Sequence, residues 1–263
     1  MLEKLRDRLL GRQKPGIIFV HIPKTGGSSI SSALRKHYRL SKFNIKSEAT
    51  SLAALNRYGI TRTDPYYDET LQKFRLSLIF HEAQMGKRFL TGHFWVDENL
   101  SSLKPFGYRI ITCLRNPVDR WFSHYLYSRF KEGSHGRVEQ DVEEFLESEQ
   151  AVSFATTYVR YIGGIRQDRD YTARSAVDSA IANLDMFDIV GFLDHLDAFR
   201  AQIQESTGFH LRPEHRRRSP ANPTIRKKIQ DSKEYRNAVE KLCEPDMEVY
   251  EQALARFPYV TVT

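Results

Sequence analysis

Residues 17–34 read IIFVHIPKTGGSSISSAL. An apolar, β-branched run enters His21, a glycine pair follows, and serines open a helical pattern. At such a strand–glycine–helix junction backbone N–H groups converge and the helix dipole adds positive potential. Glycine lets an anion approach the backbone closely. Lys24, Thr25, Gly26, Gly27, Ser28 and Ser29 are therefore candidates for holding a phosphate or sulfate group. The register differs from that of an ATP- or GTP-binding loop, which reads G-x-x-x-x-G-K-[ST] with lysine after the last glycine. Here Lys24 precedes Gly26-Gly27. The apolar run IITCLRN ends in Arg115, where a magnesium-binding strand would end in Asp. The loop suits an anion held without metal, with Lys24 as the neutralising charge. A plain glycine-rich turn is the structural alternative.

A second anion site is legible in LRNPVDRWFSHY, residues 114–125. Arg115 ends a predicted strand, and Asn116-Pro117 reads as an N-cap followed by proline at the first helical position. Asn116, Arg120 and Ser123 are spaced to share one helix edge. A guanidinium fork at the strand end and a hydroxyl on the next helix can grip a phosphate from two sides. The alternative is that Arg115 pairs with a carboxylate such as Asp119.

Activating a hydroxyl needs a base, and histidine is the commonest one because its unperturbed pKa of about 6.5 lies near working pH. Of nine histidines, His93 ends the predicted strand RFLTGHF (88–94) after a glycine. That is the carboxyl edge of a sheet, where ligands bind in open α/β folds. His21 reads as a structural, hydrogen-bonded histidine. His81 beside Glu82, and His124 on the Ser123 helix, are weaker candidates.

These residues need a scaffold of parallel strands. Apolar runs at 16–22, 88–94, 108–115 and 187–193 read as buried strands. Helical patterns cover 28–38, where the serines can cap, and 117–130, 141–149, 153–161, 173–184 and 195–206. Another spans 231–256, where Pro245 should bend or divide it. Alternation of strand and helix argues for an α/β domain with a central parallel sheet flanked by helices. No repeat or linker divides the chain, so residues 1–263 read as one domain with 1–15 as an N-terminal extension. Residues 59–70 and 211–226 look irregular. Tyr125, Tyr127 and Phe130 serve either as core or as part of an acceptor groove.

The chain has 263 residues, 40 Lys+Arg against 33 Asp+Glu, a formal net charge of +7 and two cysteines. Two distant cysteines exclude a disulfide framework and a cysteine-rich metal site, and Cys113 inside RIITCL reads as a buried thiol. A positive balance favours anionic partners. The N-terminal MLEKLRDRLLGRQKPG has charges interrupting every apolar pair, so it reads as neither signal peptide nor bilayer span. As given, the chain reads as cytoplasmic, and a membrane-anchored parent would read the same.

The motif HIPKTGGSSI resembles the 5′-phosphosulfate loop of sulfotransferases that use 3′-phosphoadenosine 5′-phosphosulfate (PAPS). It is most similar to the carbohydrate type, which includes the heparan sulfate and uronyl 2-O-sulfotransferases. LRNPVDRWFS resembles that family's R-[DN]-P-x-x-R-x-x-S segment, which binds the cofactor's 3′-phosphate. TTYVRYIGG, AIANLDMFDIVGFLDHLDAF and RRRSPANPTIRKKIQ resemble further parts of the 2-O branch, and the likeness is weakest at 40–80. The resemblance implies a P-loop-like sulfotransferase fold and PAPS as donor with no metal. It implies Lys24, Thr25, Gly26, Gly27, Ser28 and Ser29 around the 5′-phosphosulfate, and Arg115 and Ser123 at the 3′-phosphate. His93 would be the general base and Lys24 would stabilise the leaving phosphate. The loop 212–227 would close over the nucleotide, with Arg217, Arg218 and Thr224 at the 3′-phosphate or adenine. Where the 2-O branch reads His-Gly-His, this chain reads Thr91-Gly92-His93. The implied acceptor is a hydroxyl, most naturally on an anionic carbohydrate rather than nucleic acid. Transfer to a small-molecule or lipid hydroxyl, a metal-dependent kinase, and a non-catalytic module binding an anionic glycan are the competing readings.

Overall fold

The computed structural model describes residues 14–61, 63–133, 136–212 and 220–258. Strand β1, Gly16–Val20, is buried along its whole length, with Ile17, Ile18, Phe19 and Val20 fully inaccessible. A strand apolar on both faces must be covered on both, and this is the pattern of a central parallel strand. It lies between β3 (Phe89–Gly92) and β4 (Tyr108–Leu114), parallel to each. β5 (Ile189–Phe192) pairs with β4, and the short β2 (Lys42–Asn44) pairs with β3, giving the order β2-β3-β1-β4-β5. β2 was not expected. Three residues, largely accessible, carry too short an apolar signal to stand out from a loop.

Between the strands run α1 (Gly27–Arg35), α2 (Ser47–Tyr58), α3 (Tyr67–Gln84), α4 (Pro117–Phe130), α5 (Val142–Leu146), α6 (Glu149–Ala155), α7 (Thr157–Gly163) and α8 (Arg174–Asn183). After β5 follow α9 (Leu196–Thr207), α10 (Pro223–Gln230), α11 (Lys233–Leu242) and α12 (Glu244–Arg256). Two buried clusters cover the two faces of the sheet, one around Ile18, Val20 and Leu90, the other around Ile17, Phe19 and Ile111. A third, around Trp121, Phe122 and Phe145, packs α4 against α5, α6 and α11.

Several expectations need correction. α2 and α3 fill the stretch where resemblance was weakest, and α3 begins inside the segment read as irregular, at Tyr67. α10 occupies part of the other irregular segment, with Asn222 capping Thr224 N–H at 2.9 Å and Pro223 opening the helix. The C-terminal pattern is divided, as Pro245 suggested: α11 ends at Leu242 and α12 starts at Glu244. The serines after the loop do not cap α1. Its N-cap is Gly26, in the left-handed region at φ 77°, with no side-chain hydrogen bond.

Cys113 is fully buried and burial pushes its thiol pKa up. Among the described residues no helix is long and apolar enough to cross a membrane.

Candidate active site

Parallel strands in register end at one edge, and the register fixes what meets there. Val20 lies opposite Gly92 and Thr112. The next residues on β1 and β3, His21 and His93, are thus neighbours, with ring centroids 4.4 Å apart. Arg115 leaves β4 on the other side of β1. The loop 22–26 emerges between them. Three of the expected residues, Lys24, His93 and Arg115, are accordingly carried to one edge by β1, β3 and β4.

The loop itself is tightly turned. Lys24 sits at φ 68°, a conformation most side chains avoid at a cost of order 1 kcal/mol. Thr25 helps to hold it there: its side chain is fully buried and its hydroxyl donates to Ile22 O at 3.0 Å. That hydroxyl is turned into the loop, and Thr25 offers a ligand only its backbone. With no side-chain cap and no acidic residue in its first turn, α1 presents its N-terminal N–H groups with the positive end of the helix dipole. Lys24 Nζ stands 3.9 Å from the centroid of the Tyr127 ring. Tyr127 belongs to α4, so the ammonium lies against the helix that also carries Ser123. Ser28 is exposed and Ser29 partly so.

Gly27 has no room for a side chain. A Cβ there would lie 2.2 Å from His21 Cδ2 and 2.6 Å from its Nε2. Since His21 packs on His93, Gly27→Ala is expected to displace both rings and to weaken binding of adenosine 3′,5′-bisphosphate about tenfold, within the roughly 1–3 kcal/mol that overpacking typically costs. Calorimetric titration measures it; wild-type affinity would show that the loop relaxes freely.

His93 Nδ1 is 2.6 Å from His21 O. A carbonyl only accepts, so Nδ1 carries the proton and Nε2 the lone pair. Burial drives the His93 pKa down to about 4, against the raising effect of the His21 carbonyl, and the Arg75 charge lowers it further. The imidazole is therefore neutral at pH 7. Arg75, from the middle of α3, is buried. It donates to the His93 carbonyl at 3.0 Å, to Thr50 Oγ1 at 3.0 Å and to Ser47 O at 3.4 Å. It fixes the backbone of His93, a role its place in an unremarkable helix did not announce.

Arg115 is partly buried, which lowers its pKa, while the carboxylates Asp119 and Asp194 oppose that shift. The expected alternative partner, Asp119, lies 3.5 Å from Arg236. The Arg115 backbone is clamped by the Tyr158 hydroxyl, which accepts from its N–H at 2.8 Å and donates to its carbonyl. Asn116 caps α4 through Val118 N–H at 3.1 Å and Asp119 N–H at 3.3 Å. Ser123 is partly accessible two turns in.

Arg120 does not share that accessible edge: it is fully buried and pairs with the equally buried Asp246 at 3.3 Å. Tyr125 is core, as is most of Phe130, whereas Tyr127 underlies Lys24. Thr224 is exposed at the start of α10, on the same helix as Arg226, whose charge reaches Arg115. Arg217 and Arg218 lie outside the described residues.

Beside the loop opens a cavity of about 500 Å³, lined by Pro23, Ser47, Ser51, Tyr67, Asp68, Leu71, Gln72, Arg75, His93, His124, Phe154 and Tyr161. A loop of converging N–H groups, a neutral imidazole with its lone pair on Nε2 and an adjoining cavity of mixed polar and apolar lining suit transfer of an anionic group to a neutral nucleophile. No group of three metal-binding side chains occurs among the described residues.

The family model for the sulfotransferase domain matches residues 14–171, more than half of the chain, and the chain belongs to that family. It is an enzyme that transfers a sulfuryl group from PAPS. Among curated proteins no sequence matches. Among solved structures, retinol dehydratase in complex with androsterone and the inactive cofactor PAP matches at 13% identity over 98% of this chain and 87% of that one, with a TM-score of 0.29. A score that low lends no weight to any detail of the site.

Proposed function

We propose that the chain transfers the sulfuryl group of PAPS to a carbohydrate hydroxyl, with His93 as general base and Lys24 offsetting charge on the leaving phosphate. One observation carries the reading. His93, neutral and with its Nδ1 committed to His21 O, lines the same cavity as Pro23, the residue that begins the anion-binding loop. When bound, PAPS supplies the sulfuryl group on a phosphate that leaves readily. The donor set fits such a ligand. Backbone N–H groups of Thr25 to Ser29 and the Lys24 ammonium suit its 5′ end, and the Arg115 fork with the Ser123 hydroxyl suits its 3′-phosphate. Thr224, together with Arg217 and Arg218, is assigned to the nucleotide's outer side.

The acceptor class is read from the cavity walls. Tyr67, Phe154 and Tyr161 supply apolar faces, while Ser47, Ser51, Asp68, Gln72 and Arg75 supply hydrogen-bonding groups. Alternating apolar and hydroxyl-bearing faces are the surface of a sugar ring. Within this cavity His93 Nε2 takes the proton of the attacking hydroxyl as the bond to sulfur forms, and holding both partners fixed lowers the entropic barrier. The excess of basic over acidic residues favours an anionic sugar.

Incubating the protein with radiolabelled PAPS and a panel of glycans, glycolipids and simple alcohols tests the reading. Label on glycans supports it. Label confined to lipid or small alcohols replaces the acceptor class, and tight glycan binding without nucleotide binding replaces catalysis by simple recognition. A separate measurement addresses the nucleotide. Arg115→Ala is expected to weaken adenosine 3′,5′-bisphosphate binding by roughly 10- to 100-fold, the scale of a charge-assisted hydrogen bond. Unchanged affinity by calorimetry would remove Arg115 from the site.

A further inference from the structure

The side chain of Lys24 is fixed at its root and at its tip. At the root, Lys24 sits at φ 68° and Gly26 at φ 77°, and the Thr25 hydroxyl locks the turn through Ile22 O at 3.0 Å. At the tip, Nζ lies 3.9 Å from the centroid of the Tyr127 ring, well inside the ~6 Å over which an ammonium is drawn to an aromatic face. Tyr127 is unlike its neighbours on α4. Trp121, Phe122, Tyr125 and Phe130 pack into or against the third buried cluster, and Tyr127 does not belong to it. Its ring stays partly accessible, one helical turn beyond Ser123. The helix that carries it is held by the Asn116 cap and by Trp121 Nε1, which donates to Ala151 O at 3.0 Å. The Lys131 ammonium approaches the same ring only to 5.9 Å. The single carboxylate of α4, Asp119, is engaged with Arg236 at 3.5 Å. An aromatic face differs from a carboxylate as a holder of lysine. It attracts the cation through its quadrupole and brings no counter-charge, so the positive charge stays available to an anion. The flexible lysine stem otherwise spreads the ammonium over many rotamers, and fixing it in advance removes that entropic cost from the reaction.

We propose that Tyr127 is a positioning residue for sulfuryl transfer: its ring holds the Lys24 ammonium beside the anion-binding loop before charge builds on the leaving phosphate. The inference rests on the reading of Lys24 as the stabiliser of that phosphate and deepens it. Tyr127 acts only through Lys24. What the reaction requires of it is the negative face of the ring, and the phenolic hydroxyl is dispensable. An ammonium carries three N–H donors, so contact with one ring face leaves donors for a phosphate oxygen on the other side.

The test is a double-mutant cycle between ring and lysine. Label leaving radiolabelled PAPS is counted whether it reaches added heparosan or water, so the measurement does not depend on the acceptor class. Tyr127→Phe keeps the aromatic face and should turn over within about twofold of the wild type. Tyr127→Leu removes the face, and kcat should fall roughly three- to tenfold, the scale of a partly buried cation–π contact, with KM for PAPS changed less. Lys24→Ala should itself lower kcat by roughly 10²-fold, as loss of one charge-stabilising group does. In that background Tyr127→Leu should cost nothing further, because the contact is already gone. Calorimetric binding of adenosine 3′,5′-bisphosphate shows that each variant is folded. Should the leucine variant not fold, Tyr127 is replaced by 3,4,5-trifluorophenylalanine, which keeps the ring's shape and withdraws the negative charge of its face, and the same loss is expected. Tyr127→Phe as slow as Tyr127→Leu, an equal Tyr127→Leu loss with and without Lys24, or turnover by Tyr127→Leu at or above the wild-type rate overturns the inference and leaves the reading of Lys24 intact. Wild-type turnover by Lys24→Ala, with adenosine 3′,5′-bisphosphate still bound, overturns that reading and the inference together.

Discussion

His93→Ala is expected to lower kcat by roughly 10²- to 10⁴-fold, the range contributed by a positioned general base, and to leave affinity for adenosine 3′,5′-bisphosphate nearly unchanged. The separation follows from the geometry. His93 follows β3, whereas the loop and Arg115 follow β1 and β4. The His21 carbonyl that orients the His93 ring belongs to the backbone and survives the substitution. The pH dependence gives an independent signature. A base works deprotonated, so kcat/KM is lost as pH falls through its free-enzyme pKa. With that pKa near 4, the profile should stay level through pH 6.5 and fall only in stronger acid. An acid limb centred at the ordinary histidine value would mean that the ring is solvated. Stability carries the same sign. Between pH 6.5 and about 4 the unfolded chain binds a proton that folded His93 refuses, so stability declines as pH falls across that window. His93→Ala should lose that share of the acid sensitivity in denaturant titrations at several pH values. Near-normal turnover by the alanine variant would exclude the role outright.

The parts legible in the sequence share one property: their signal is local. β1, β3, β4 and β5 are short apolar runs bounded by breakers, and Asn116-Pro117 announces the start of α4 within two residues. The loop was legible because Gly26 and Gly27 satisfy two separate demands, a left-handed backbone and contact with His21. Whatever depends on long-range packing stayed hidden. β2 exists because Ser41 and Ile45 tie its ends to the neighbouring strand, through Arg88 N–H and Phe89 N–H bonded to Ser41 O and Ile45 N–H bonded to Thr91 O. Arg75 and Tyr158 matter through backbone groups 18 and 43 positions away, and no spacing rule reaches that far. Arg120 shows the converse error. Helical spacing set it beside Asn116 and Ser123, but a partner 126 positions on in the sequence, Asp246, drew it into the core.

Asp246→Ala is expected to destabilise the fold by about 3–5 kcal/mol, the usual consequence of stranding one member of a buried ion pair. At about 2–4 °C per kcal/mol for a chain of this size, Tm should fall by on the order of 10 °C. Both partners are wholly inaccessible, and Arg120 has two further guanidinium nitrogens, Nε and Nη1, without hydrogen-bond partners among the described residues. Asp246 also accepts from Tyr158 N–H at 2.8 Å and Val159 N–H at 3.0 Å, holding the first turn of α7. Tyr158 in turn clamps the Arg115 backbone from both sides. The chain Arg120–Asp246–Tyr158–Arg115 therefore joins the C-terminal helix α12 to the end of β4. Nucleotide affinity should fall along with stability, which a variant damaging only the core would not require. The two effects separate in the double variant Arg120→Met with Asp246→Leu. Apolar replacement of a buried pair is often neutral or stabilising, so Tm should recover. Affinity for adenosine 3′,5′-bisphosphate should remain low, because no carboxylate then fixes the α7 amides that aim Tyr158 at Arg115. Recovery of both quantities in that variant would show that packing alone positions Arg115, and an unchanged Tm for Asp246→Ala would show that the pair stabilises nothing.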